Sequence, residues 1–146
     1  MSEDVIRASL FTILKAIAGI GKCYDYTRWN NDWGKFIELY KDSTGKILGW
    51  ELGRAAVQST YLSNADGEET HAFIIRGYMG VNDAQASEKV FNAKIETIRS
   101  TFRRNYTLND TVHMVSPVSA QVIDQRVFGS VLCHYAELRI DVTEFV

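Results

Sequence analysis

A narrow apolar stripe in residues 83–104 constrains this chain more than any other feature. Ala84, Phe91, Ile95, Ile98 and Phe102 fall on one side of a helix, with charged residues around the rest. A helix with one thin dry stripe must lay it against another element. The spacing predicts a helix capped by Asn82 or Asp83, running to Arg104 and stopped at Asn105. What covers it is legible further on. From Leu132 to Val142, Leu132, Ala136, Leu138, Ile140 and Val142 alternate with Cys133, Tyr135, Glu137, Arg139 and Asp141. Period-two alternation marks a strand with one dry face and one wet face.

The remaining segments fit the same scheme. Ile6, Leu10, Ile13, Leu14 and Ile17 have helical spacing, with Ser2 and acidic residues at the start and Gly19 and Gly21 at the end. A short extended piece covers Lys22–Thr27. Trp29, Trp33, Phe36, Ile37 and Tyr40 predict a second helix over Asn31–Tyr40, and Asp42 to Gly45 is a turn. Ile47–Ser59 and Thr70–Tyr78 read as strands of a long hairpin. Ser63–Glu69 forms its polar, acidic, glycine-containing tip. In the first strand, Leu48, Trp50 and Leu52 share one face and Glu51, Ala55 and Val57 the other. Thr111–Ala120 and Gln125–Val131 read as further strands. The expected fold is therefore α+β: a mostly antiparallel sheet with an N-terminal helix, a short second helix and one long amphipathic helix packed on one face. With 146 residues and neither a linker nor a repeat, residues 1–146 read as a single domain.

Charge and cysteine usage narrow the function. Sixteen Lys and Arg face eighteen Asp and Glu, a formal charge of -2. Nucleic-acid binders are usually basic, so that class is disfavoured. The N-terminal stretch starts acidic, at Glu3 and Asp4, and Arg7 and Lys15 interrupt its apolar run, unlike a secretory signal. No apolar run is long enough to span a membrane. Cys23 and Cys133 read as reduced thiols.

No arrangement of chemistry-bearing residues stands out. The histidines His71, His113 and His134 are scattered, and adjacent residues such as Cys133 and His134 point to opposite faces of a strand. His134 reads as a core histidine bonded to the backbone. The glycines Gly19 and Gly21 follow a helix, the reverse of a phosphate-binding loop, and no Gly-x-Ser-x-Gly elbow is present. The chain is thus expected to hold no catalytic residue, no cofactor and no metal ion. Tyr24, Tyr26, Trp29, Trp33, Phe36 and Tyr40 read as core or as a subunit contact. Arg99, Arg103 and Arg104 complement a helix C-terminus or meet an acidic partner.

Several stretches together resemble a family. They are Tyr24-Asp-Tyr-Thr-Arg28 with Asn31-Asp-Trp33 and Phe36; Lys46-Ile-Leu-Gly-Trp50-Glu-Leu-Gly-Arg54; His71-Ala-Phe-Ile-Ile-Arg-Gly77; Asp83 through Ser87-Glu88 to Phe91; Asn105-Tyr-Thr-Leu108; and Val127 to His134. They resemble the tail-terminator, or tail-completion, neck proteins of long-tailed bacteriophages and prophages. The resemblance implies a structural virion protein that forms a ring, commonly hexameric. Such a ring caps the tail tube, stops its polymerisation and joins the tail to the head. It implies three partners: further copies of the chain, the tail tube protein, and the head–tail connector or neck proteins. The genome would cross the lumen without specific binding. The implied location is the virion, with the host cytoplasm during assembly. On this reading Asp66, Glu68 and Glu69 crowd the hairpin tip near the channel or ring faces, and Arg99, Arg103 and Arg104 face a protein neighbour. The alternatives are a head–tail adaptor or other neck component, and a soluble ligand-binding module.

Overall fold

In the computed structural model, which describes residues 3–146, strand and helix follow in the expected order. Helix α1 spans Glu3–Lys15 and strand β1 spans Lys22–Tyr24. Helix α2 is Trp33–Glu38. Strands β2, Leu48–Tyr61, and β3, Gly67–Gly80, form the long hairpin. Helix α3, Ser87–Arg104, precedes β4, Met114–Val115, β5, Ser119–Phe128, and β6, Val131–Phe145. The Ser2 helix start lies outside the described residues.

The sheet is antiparallel except for the parallel pairing of β1 with β2. Its order is β1-β2-β3-β6, with β4 and β5 both lying along the far side of β6. The fold is α+β, as the patterning predicts. The main core lies on one face of the sheet. There Trp50, Leu52, Phe73, Ile75, Leu138 and Ile140 meet Ile6, Leu10 and Leu14 of α1 and Phe91, Ile95, Ile98 and Phe102 of α3. Phe91 stacks on Trp50 at 5.6 Å, and the Trp50 indole N–H donates to the Ile20 carbonyl at 2.9 Å. The polar end of the largest core side chain is thereby satisfied.

The helices are not all on one face. Phe36, Ile37 and Tyr40, from α2 and the turn after it, pack on Tyr78, Phe128, Cys133 and Tyr135 in a second cluster. Strand alternation puts Cys133 and Tyr135 opposite Ala136 and Leu138. The supposed wet face of β6 is therefore dry under α2 and wet only from Glu137 onwards.

Other boundaries also shift. Helix α3 starts at Ser87. Asp83–Gln85 is a separate turn of 3₁₀-helix, and Ala86 between them is left-handed, with φ 53°. Ala84 is exposed and outside the stripe. Helix α2 begins two residues later than its spacing suggests, because the Asp32 carboxylate accepts from the Gly34 and Lys35 amides and caps it there. Thr111–Ala120 is mostly irregular. Strand β5 starts at Ser119, and a turn at Gly129 and Ser130 divides it from β6. A bulge at Arg54/Ala56 inverts the phase of β2, so Val57 lies opposite His71, on the main-core face instead of the Glu51 face.

Candidate functional site

The long hairpin carries the first candidate surface. Its ladder reaches Tyr61 opposite Gly67, so the tip is shorter than Ser63–Glu69. Glu68 and Glu69 are strand residues, paired with Thr60 and Ser59 on one side and with Phe145 and Glu144 on the other. Of the three acids assigned to the tip, Asp66 alone is there. Its turn is closed by hydrogen bonds from the Leu62 and Ser63 amides to the Asp66 carbonyl, at 2.9 and 3.1 Å. The turn itself exposes Ser63, Asn64 and Asp66, and it is flanked by the exposed apolar residues Tyr61, Leu62, Phe145 and Val146. The tip is polar, as expected, but it carries one acid instead of three and has apolar shoulders.

Beyond Glu51, β2 has no ladder partner on its outer side among the described residues, since β1 pairs only with Gly49 to Glu51. From Ala55 to Leu62 this edge carries neither a charge nor a proline. Charged side chains and proline are among the devices by which natural proteins guard such an edge. The opposite side of the sheet ends in β5, whose only ladder partner among the described strands is β6. It exposes Ile123 and Val127 on either side of Asp124 and Arg126.

The second candidate surface is aromatic. Trp29 is 75% exposed and Trp33 56%, and Tyr26 is open beside them. The expected stripe therefore splits: Phe36 and Tyr40 are core, whereas Trp29 precedes the helix and faces outward. The Arg28 guanidinium lies over the Tyr24 and Tyr26 rings at 4.5 and 5.3 Å. Arg126 lies over Tyr135 at 4.1 Å. A cleft between them is lined by Arg28, Trp29, Trp33, Arg126 and Tyr135, with Glu51 at its base. Glu51 is buried but satisfied, accepting from the Arg28 amide at 2.9 Å, the Tyr40 hydroxyl at 2.6 Å and the Tyr78 hydroxyl at 3.3 Å. Burial, then the Glu51 carboxylate, pushes the Tyr40 and Tyr78 phenols far above their usual range. Exposed tryptophan and tyrosine with arginine is the composition of protein-binding hot spots.

The arginines of α3 do not act as one cluster. Arg99 is tied to its own chain: its Nε donates to the Val118 carbonyl at 2.9 Å, and its Nη1 pairs with Glu96 at 3.0 Å. Arg103 and Arg104 are exposed in the last turn.

Two histidine sites emerge that spacing along the chain could not show. His134 is buried and stacked on Phe91, and its Nε2 lies 2.8 Å from the Ser87 hydroxyl. That oxygen also accepts from the Asn82 amide at 2.8 Å, so its proton is free to donate to the ring. Burial lowers the His134 pKa. His134 thus bonds a side chain, not the backbone, and the pair fastens the turn before α3 to β6. Ser87 is itself buried, so its oxygen is not offered to a substrate.

The other site corrects the expectation that no three metal ligands converge. Glu69, His71 and Glu144 each bring one donor atom into a group whose members all lie within 4.8 Å of one another. His71 Nε2 is 3.2 Å from Glu144 Oε1 and 3.6 Å from Glu69 Oε2. His113 lies apart, against Phe145 at 4.5 Å. Both cysteines are unpaired, and burial pushes each thiol up to about 11, so neither is an activated nucleophile. No helix among the described residues is long and apolar enough to cross a membrane.

No protein-family model matches the chain, and no curated protein matches it.

Proposed function

We propose that this chain is a structural subunit of a phage neck: a tail terminator that forms a closed ring, caps the tail tube, stops its polymerisation and presents the surface that joins the head. The observation that supports this reading most is the pair of unfilled strand edges on opposite sides of one sheet. The β2 edge from Arg54 to Tyr61 and the β5 edge are different surfaces. Contact of one with the other is head-to-tail, and head-to-tail contacts close into rings when the rotation fits. The motif resemblance sets the kind of ring. The Trp29–Trp33 face is then the contact with the neighbouring neck or tube protein. In this reading the chain acts as a structural part without catalysis, and the genome crosses the lumen unbound.

Native mass spectrometry of the purified chain, with microscopy of neck particles, tests this. A multi-subunit ring is expected, at least on tail tubes. A chain that stays monomeric on assembled tails would overturn it. A monomer that binds a small anionic or aromatic molecule in the Arg28–Trp29–Trp33 cleft would support the ligand-binding-module reading instead.

A further inference from the structure

The geometry points to a divalent-metal site of the zinc class, formed by Glu69 and His71 of β3 and Glu144 of β6. The inference is independent of the ring. It starts from the ladder: Glu69 and Glu144 are direct partners across β3 and β6. Like charges opposite one another destabilise a sheet. Here Glu144 is also 3% exposed and His71 2%. One oxygen of Glu144, Oε2, is buried with no hydrogen-bond partner among the described residues. A carboxylate oxygen left dry and unpaired is costly unless a cation is offered to it.

The spacing suits such an ion. A tetrahedral zinc with bonds of about 2.0–2.2 Å holds its donors roughly 3.4 Å apart. The two contacts of His71 Nε2 with the carboxylates, 3.2 and 3.6 Å, bracket that value. Two carboxylates and a neutral imidazole cancel the charge of a divalent ion. The nitrogen donor favours zinc over magnesium or calcium, which prefer oxygen alone. The Glu69 side chain is 31% exposed, which leaves an entry path and room for a water as fourth ligand.

One group opposes the ion. Arg54 Nη1 is 3.4 Å from His71 Nδ1. Arginine only donates, so in this contact Nδ1 accepts and the ring proton sits on Nε2, between the carboxylates. Coordination therefore needs Arg54, which is exposed, to turn away and the imidazole to carry its proton on Nδ1. The metal would clamp the C-terminal strand to the hairpin arm.

The test is titration of the chelator-stripped full chain with Zn2+, read by calorimetry and by melting temperature. One Zn2+ per chain and a raised melting temperature are expected, with no response to Mg2+. Glu69→Gln should weaken binding more than about tenfold, at least the effect of losing a supporting residue around a metal. Glu68→Gln removes the same charge from the other face of β3 and should leave binding unchanged. Arg54→Gln should tighten it. Co2+ should give visible bands of a nitrogen–oxygen site on the unmodified protein, a readout that does not depend on any variant folding. Absence of Zn2+ binding at high micromolar concentration would overturn the assignment. So would equal binding in Glu69→Gln, or a near-ultraviolet cobalt–thiolate band that moves the site to a cysteine.

Discussion

Gly77 lies directly opposite Trp50 across β2 and β3, and the six-membered part of the Trp50 indole fills the space that a Cβ on Gly77 would need. The glycine is there because the tryptophan lies flat over its backbone. Trp50 in turn stacks on Phe91 of α3, so this one contact sets the distance between the sheet and its main helix.

Gly77→Ala is therefore expected to overpack the core. Inserting a methyl group into a filled interior costs about 1–3 kcal/mol, and the neighbour here is a rigid ring. Chemical denaturation followed by circular dichroism measures it. A variant as stable as the parent would show that Trp50 can move aside freely.

Much of this core was legible in the sequence. Phe91, Ile95, Ile98 and Phe102 are spaced one turn apart, and Leu138, Ile140 and Val142 alternate, because each set serves one face only. Trp29 misled for a physical reason. Its spacing continues the period of Trp33, Phe36 and Tyr40, but Asp32 caps the helix after it, so the phase does not extend back. Strand β5 is exposed on both faces, leaving no period-two signal, and the apolar pairs Val127-Phe128 and Val131-Leu132 on either side of Gly129-Ser130 masked the turn between them. The Glu69–His71–Glu144 group depends on which residues of β3 and β6 pair. Neither strand carries that register in its own pattern.

Arg99 and its two neighbours should separate in experiment. Arg99→Ala removes a charged donor from the buried Val118 carbonyl and should cost about 1–3 kcal/mol in stability. Arg103→Glu with Arg104→Glu touches no such bond. Reversed charge at a helix C-terminus costs about 0.3–1 kcal/mol per residue, so the fold should persist. If these arginines meet an acidic neighbour, like charges would then oppose each other and joining should fail. Thermal melts report the first effect, and counting joined tails reports the second. Normal joining by the double variant would remove Arg103 and Arg104 from the interface.

His134 should make stability depend on pH. Its folded pKa is lowered by burial, so the unfolded chain takes up a proton first as the pH falls through about 6.5. The unfolded state then binds more protons than the native one, and stability drops with falling pH. The contribution is complete above that value and is lost towards the lower folded pKa. Denaturation midpoints from pH 7.5 down to 5.0 check it. His134→Gln, which can still accept from Ser87, should flatten this part of the profile. An unchanged slope in the variant would place the titration elsewhere.

The open edge of β2 gives the most direct test of assembly. Gln58 and Thr60 sit in its uncharged stretch, on the face away from His71. Both are exposed, so lysine at each leaves the core untouched and should change monomer stability by no more than about 0.5 kcal/mol. A charged edge resists pairing with another strand, because each ammonium would have to be desolvated or held close to the neighbouring backbone. Gln58→Lys with Thr60→Lys should therefore shift the chain from rings to monomers while its circular dichroism stays the same. A control on the opposite edge sharpens the result. Ile123→Lys alters exposed β5, and if β5 is the complementary edge it should block assembly as well. Mixing the two variants should then cap each other's growth and yield at most dimers, since each retains one working edge. Full rings from the β2 double variant would show that subunits meet through another surface, with the Trp29–Trp33 face the next to be altered.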